Sequence, residues 1–310
     1  MRNRRAIFVF SLLMALPLFA ASDSHAAAAS VVVVASVGVE AHRWAIEGIQ
    51  AALATSAFRI RVVDLEEARS GLAAGVRLAM PGARVIIAVG SEALQIVEGE
   101  RPTVPVISTM VLLHTDERSV YAPVAATIAI DVSMESMLAR LKQLFPQKNR
   151  IGILRNPASV RSTPAQLQAR AQTLGFTVRV VDSGDPQQLL PALMSLKGQV
   201  DFVWCLPDGT IYNSVTIRPL ILASIQNRLP LIGFSESFAR AGAAVSIYPD
   251  FRDVGLQTGE AARQLMDNQL LGTAGGPRKL KLAINQSVVR LLGLRYSPEV
   301  AATKEVSVLP

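Results

Sequence analysis

The chain is poor in the residue types on which most recognisable site chemistry depends: it has one cysteine, three histidines and 5% aromatic residues in 310 positions. A single cysteine cannot close an internal disulfide, so the fold must stand on packing alone. Cys205 lies in the apolar run Phe202-Val203-Trp204-Cys205-Leu206 and reads as a buried structural thiol. His25, His42 and His114 are scattered, and without spaced cysteines or His-Glu pairs they make no zinc site. His42, close to Trp44, reads as a solvent-facing or capping residue. Where a dinucleotide fingerprint would follow the first strand-like run, Ser36-Val37-Gly38-Val39-Glu40-Ala41 stands instead, and there is no Walker Gly-Lys-Ser/Thr. Gly233-Phe234-Ser235-Glu236-Ser237 begins like a nucleophile elbow but has Ser237 where the second glycine is required. Asn285-Gln286-Ser287 matches a glycosylation acceptor, a chance-level match that is set aside. No catalytic residue, metal or cofactor is therefore expected. Basic residues are scattered and not interleaved with aromatics, which argues against nucleic-acid binding.

What the chain does have starts at its amino end. Arg2, Arg4 and Arg5 precede an apolar stretch, Ala6 to Ala20, broken only by Ser11 and Pro17, and Ser24-His25-Ala26 has a small-x-small pattern. Residues 1–26 are expected to be a cleaved secretory signal peptide. The stretch is short for a membrane span, and no cysteine follows it to carry a lipid, so the remainder is expected in the periplasm without an anchor. Losing three arginines and one aspartate with that segment leaves a formal charge of +5 out of +7. No second apolar run reaches spanning length. The remaining chain of about 284 residues is longer than one core usually uses, so two lobes are expected.

Strand-like and helix-like segments alternate from Val31 onward. Val31 to Ala35, Val85 to Val89 and Val104 to Ile107 are continuous apolar runs, as in strands of a parallel sheet covered on both faces. Segments with helical spacing separate them, which is βαβ grammar. Residues 109–123 fit neither period and read as a crossing between lobes. A second series follows, with strands at Arg150 to Leu154, Thr177 to Val181, Phe202 to Leu206, Leu229 to Ile232 and Ala244 to Ile247, and a long helix from Phe251 to Leu270. After a small-residue break, Lys279 to Ile284 reads as a strand that could rejoin the second lobe. The expected fold is α/β, two doubly wound parallel-sheet lobes joined by a multi-crossing hinge, with residues 27–120 plus 248–275 in one lobe and 121–247 plus 276–310 in the other. Such a hinge suits closure over a ligand.

In open parallel sheets, ligands bind beyond the carboxyl ends of the strands, near helix N-termini. The residues just past each strand are thus the candidates: Ser91, Ser108 and Thr109 in the first lobe, Asn156, Asp208, Thr210, Ser235 and Glu236 in the second. Hydroxyls and free N–H groups could hold a carboxylate, while Asp208 or Glu236 could pair an ammonium, which together would suit a zwitterion. The competing role for each is helix capping or turn formation, since the same residue types serve both.

The run Leu231-Ile232-Gly233-Phe234-Ser235-Glu236-Ser237-Phe238-Ala239-Arg240-Ala241-Gly242-Ala243, with Tyr248-Pro249-Asp250-Phe251-Arg252-Asp253-Val254-Gly255 and Gly259-Glu260-Ala261-Ala262 after it, resembles the ABC transporter substrate-binding proteins of the tryptophan/tyrosine-binding type. Ile151-Gly152-Ile153-Leu154-Arg155-Asn156-Pro157, Pro207-Asp208-Gly209-Thr210 and Leu282-Ala283-Ile284-Asn285 with Leu291-Leu292-Gly293-Leu294 are similar to the same family. The resemblance spans roughly residues 145–300. It implies a type I periplasmic binding protein fold, a monomer that captures a small ligand, often an amino acid, and delivers it to the membrane subunits of an ABC permease. It also implies that Asn156, Asp208, Thr210, Ser235 and Glu236 line the cleft. Where that family has small residues and an Asp-Pro stretch, this chain has Ser108-Thr109-Met110-Val111-Leu112-Leu113, read as an apolar insert. Two other functions fit an exported chain of this kind: a ligand sensor or accessory protein signalling to a membrane receptor, and an exported hydrolase.

Overall fold

The four valines of β1 (Ser30–Ala35) are fully buried, and they divide between two cores. Val31 and Val33 point to one face of the sheet, Val32 and Val34 to the other, as the two-residue period of a strand requires. A strand buried on both faces has helices above and below it. In this computed structural model, which describes residues 30–54, 58–66, 72–112, 124–160, 162–269 and 275–310, that arrangement holds in both halves. The expected signal peptide lies outside the described residues.

The first sheet joins β1 to β2 (Arg59–Asp64), β3 (Ala83–Val89), β4 (Val106–Val111) and β5 (Val124–Ala129) in the order β2-β1-β3-β4-β5, every pair parallel. Helices α2 (Leu72–Ala79) and α3 (Ser91–Gly99) belong to one face. The other face is covered by α1 (Glu40–Leu53) and by α9 (Phe251–Met266), a helix that arrives from the far end of the sequence. Glycines let these two helices meet backbone to backbone. A Cβ on Gly255 would fall 2.0 Å from the Ala45 carbonyl oxygen, and one on Gly48 would fall 2.1 Å from that of Arg252.

The second sheet has the order β12-β11-β10-β9-β8-β6-β7. Its strands are β6 (Arg150–Arg155), β7 (Thr177–Asp182), β8 (Phe202–Cys205), β9 (Leu231–Gly233), β10 (Val245–Pro249), β11 (Leu280–Asn285) and β12 (Val306–Leu309). All pairs are parallel except β10 with β11, where the returning tail runs antiparallel. Helices α4 (Met134–Leu144) and α5 (Pro164–Thr173) cover one face; α6 (Leu189–Ser195) and α7 (Ile217–Gln226) cover the other, with α8 (Glu236–Ala241) at the end of β9. The tail also forms α10 (Gln286–Leu291) and the short α11 (Pro298–Ala301).

The chain passes between the sheets three times: at residues 130–133, at Asp250, and between α9 and β11. Buried Asp253, in the first turn of α9, ties the second passage to the third, pairing with Arg278 at 3.4 Å and Lys279 at 3.1 Å.

Two expectations need correction. The first four residues of the run read as an apolar insert, Ser108 to Val111, belong to β4, which is buried throughout; Leu112 follows the strand and Leu113 lies outside the described residues. A register shift between Thr109 and Val111 accompanies a positive φ of 59° at Met110, and such a bulge re-aims the residues after it. Residues 124–129, assigned to the second lobe, form β5 and pair with β4 in the first sheet; the short, alanine-rich sequence Val-Ala-Ala-Thr-Ile-Ala has weak strand character outside that pairing. Tyr248 and Pro249, assigned to the first lobe, end β10 in the second sheet.

Candidate functional site

The carboxyl ends of the second sheet's strands, together with the first and second passages, enclose a cavity of about 420 Å³. Ile153 of β6 and Trp204 of β8 are register partners, Trp204 in turn pairs with Ile232, and Ile247 of β10 joins the same buried cluster. Ile153, Trp204 and Ile247 therefore share the face covered by α4 and α5, and all three line the cavity. Phe234 follows β9 and Phe251 opens α9, so both are delivered to the cavity by strand ends. Phe234 is held by Phe238 and Tyr212, with ring centroids 5.0 and 5.8 Å away, and Phe251 packs near Tyr248 at 6.2 Å. Leu112, just past the bulge at Met110, supplies a wall from the first sheet, and Ile130 to Met134 supply the floor of the hinge. Among the described residues, the charged and hydroxyl side chains of the lining are Asp131, Ser133, Arg170 and Ser235. A space of this size and apolar character can hold a small molecule with a ring or branched hydrocarbon body.

Of the eight residues chosen from sequence, Ser235 lines this cavity. Its hydroxyl also caps α8, accepting from the Phe238 N–H at 3.2 Å. Glu236 borders a neighbouring pocket of about 530 Å³ beside the first turn of α1. Its carboxylate accepts from Arg240 at 3.1 Å and from the Tyr248 hydroxyl at 3.0 Å, so it is already neutralised inside the second lobe. Burial and that carboxylate push the Tyr248 hydroxyl well above its ordinary range.

The remaining six lie outside the lining of the cavity. Ser108 is buried and shares a hydrogen bond with Thr127 of β5 at 2.7 Å; buried Thr109 is bonded to Thr258 of α9 at 2.8 Å. Ser91 is exposed in the first turn of α3, after Gly90 with a φ of 91°. Asn156 and Asp208 shape their own turns: Asn156 accepts from the Ala158 N–H at 3.0 Å, Asp208 from those of Thr210 at 2.8 Å and Ile211 at 3.3 Å. Burial would raise the Asp208 carboxyl, but Ser159, these N–H groups and Asn156 hold it below its usual value. Its second oxygen is buried, and neither Ser159 nor Asn156 reaches hydrogen-bond geometry to it. Thr210 contributes backbone to that turn and is exposed. The capping and turn roles of these residue types thus account for most of the set.

Sequence reasoning passed over Trp204, Phe234, Phe251, Leu112, Asp131, Ser133 and Arg170. A signal was present for the aromatics, because in a chain with so few of them several sit at or next to strand ends. His42 is half-buried, not solvent-facing; its Nδ1 lies 3.3 Å from the Ser36 carbonyl, and burial lowers its pKa more than that carbonyl and Glu92 raise it. Cys205 is buried as expected, with its thiol pushed up to about 12 by burial. Among the described residues no cluster of metal-ligating side chains is present and no helix is long and apolar enough to cross a membrane.

A family model for ABC transporter substrate binding proteins matches residues 30–306. The chain belongs to this family. The substrate-binding protein is 24% identical over 143 residues to a tyrosine-binding protein from Clostridioides difficile strain R20291, a match that takes in 46% of this chain and 41% of that relative's length. A ligand-free, open structure of a substrate-binding protein with adhesive properties from Clostridium difficile superposes with a TM-score of 0.69 at 17% identity, covering 90% of this chain and 98% of that one. An ABC domain from Streptococcus pneumonia in complex with L-Trp gives 0.62 at 18%, covering 91% and 99%. At these identities the two structures establish the fold, that of type I periplasmic binding proteins.

Proposed function

We propose that this substrate-binding protein works in the periplasm, closing its two lobes over a small ligand with an aromatic or branched apolar body and handing it to the membrane subunits of an ABC importer. The observation that carries the reading is the position of the cavity. Its walls come from second-sheet strand ends, from Leu112 of the first sheet and from two of the three passages, so rotation about those passages changes its shape and its access to water. Trp204, Phe234 and Phe251 offer ring faces and edges that an aromatic ligand can pack against. Tyrosine and L-Trp, the ligands named for two of the relatives, carry rings of that kind, which supports the apolar part of the reading.

The test is a thermal-shift panel on dialysed protein using aromatic and branched aliphatic compounds, amino acids included. A ligand present at 100 times its Kd stabilises the folded state by about 2.7 kcal/mol, a readily measured rise in Tm. A panel in which no such compound moves Tm would remove the reading. Transport adds a second condition: deletion of the protein must abolish uptake of the ligand that binds, and unchanged uptake would rule out delivery.

A further inference from the structure

The neighbouring pocket of about 530 Å³ shares Ser235, Pro249 and Phe251 with the apolar cavity, so the two spaces meet along that ridge. Its walls come from both lobes. Glu40 and Trp44 of α1 and Arg252 of α9 line it from the first; Glu236, Arg240 and Lys281 line it from the second. Helices α1 and α9 run parallel, Gly255 against Ala45 and Gly259 against Ala52, which brings their first turns to the same end.

The charges of the second-lobe wall have partners. Glu236 accepts from Arg240 and from the Tyr248 hydroxyl. Lys281 lies 3.5 Å from Asp250, whose carboxylate also takes two N–H groups of α9. The first-lobe wall differs: among the described residues, the exposed side chains of Glu40 and Arg252 have neither a hydrogen bond nor an ion pair, with each other or with anything else. Trp44, an indole ring 45% exposed, stands one helical turn after Glu40. An anion and a cation that line one space without pairing are the complement of a zwitterion, and an open aromatic ring beside them can cover its hydrocarbon part. Such pairings gain little in open water and strengthen when lobe closure removes water from the groove.

We propose that this groove is the head-group compartment of the ligand site: it takes the charged end of an amino acid whose side chain fills the apolar cavity, Arg252 pairing the carboxylate and Glu40 the ammonium. This rests on the cavity being the ligand site and goes beyond that reading by assigning the charged part of the ligand to the first lobe. The side chain is then held by strand ends of the second sheet and the head group by α1 and α9. One molecule bridges the two lobes.

The experiment is titration calorimetry on dialysed protein with two trios. L-tryptophan is compared with tryptamine, which lacks the carboxylate, and indolepropionate, which lacks the ammonium; L-tyrosine is compared with tyramine and phloretate in the same way. At least one of the amino acids binds, about tenfold or more tighter than either truncated form. Arg252→Gln weakens that amino acid and its propionate about tenfold and the amine less than about twofold; Glu40→Gln weakens the amino acid and the amine and spares the propionate. Both side chains are exposed, so Tm without ligand stays as in the parent. Parent affinity for the amino acid in either variant, or equal loss across a trio, overturns the proposal while the ligand site stands. Loss of the carboxylate-bearing ligands in Arg170→Gln, with Arg252→Gln unaffected, puts the head group inside the cavity and overturns it too. If neither amino acid binds, the proposal falls, and the thermal-shift panel of ring and branched compounds decides the ligand-site reading on its own.

Discussion

The two sheets use the carboxyl ends of their strands in different ways. In the first, the hydroxyls of Ser108 and Thr109 turn inward, to Thr127 of the neighbouring strand and to Thr258 of α9. In the second, the same zone carries Trp204, Phe234 and Ser235 facing a cavity. The difference comes from what lies over each group. Ser108 and Thr109 stand within β4, which is buried throughout between β5 and the helices, with α9 on one face of the sheet, so their hydroxyls must be satisfied inside the lobe. The second sheet's end adjoins the passages between lobes, where side chains can face a space. A polar residue past a strand thus faces a cavity only where no later segment comes to cover it.

The covering helix can be removed from the comparison first. Gly255→Leu places a side chain where a Cβ alone would sit 2.0 Å from a backbone oxygen, so α9 must leave α1. The expected cost is about 3 kcal/mol or more, read by urea denaturation. Gly275→Leu, with nothing within 4 Å of its Cβ position, serves as the control, and equal stability of the two variants would refute the close packing. A finer test addresses Thr109. Thr109→Val should cost about 1 kcal/mol through the lost hydrogen bond to Thr258, with ligand affinity unchanged; a large loss of affinity at parent stability would return Thr109 to the site.

The smallest effect concerns acid. Asp208 ionises in the folded chain below its ordinary value of 3.8, so the stability it contributes is fully present above that value and is lost as pH falls through the lower folded one. Tm should drop as pH falls below about 4, and less steeply in Asp208→Asn. Identical profiles would mean that the turn N–H groups do not hold the charge.

Much of the fold was legible because burial on both faces leaves a direct mark. The Val31 to Val34 run can be satisfied only by helices above and below a parallel strand. The extent of β4 and the existence of β5 were not legible, since Val124–Ala129 has little strand character until β4 provides its hydrogen bonds. The surroundings of the cavity were only thinly legible. Ser235 was found because it follows a strand, and it lines the cavity. Asn156, Asp208 and Thr210 follow strands too, but they spend their polar atoms on local turns, and local and long-range partners look alike in a linear sequence.

By itself the sequence determined the alternating βαβ series, the double burial of the central strands and the return of the tail to the second sheet, because hydrophobic period and short-range turn chemistry are properties of neighbouring residues. The tertiary structure decided which strand ends stay covered and which face a cavity. That depends on how distant segments pack: α9 lies on the first sheet through Val254, Ala262 and Met266, and Gly48, Gly255 and Gly259 let it touch α1 backbone to backbone.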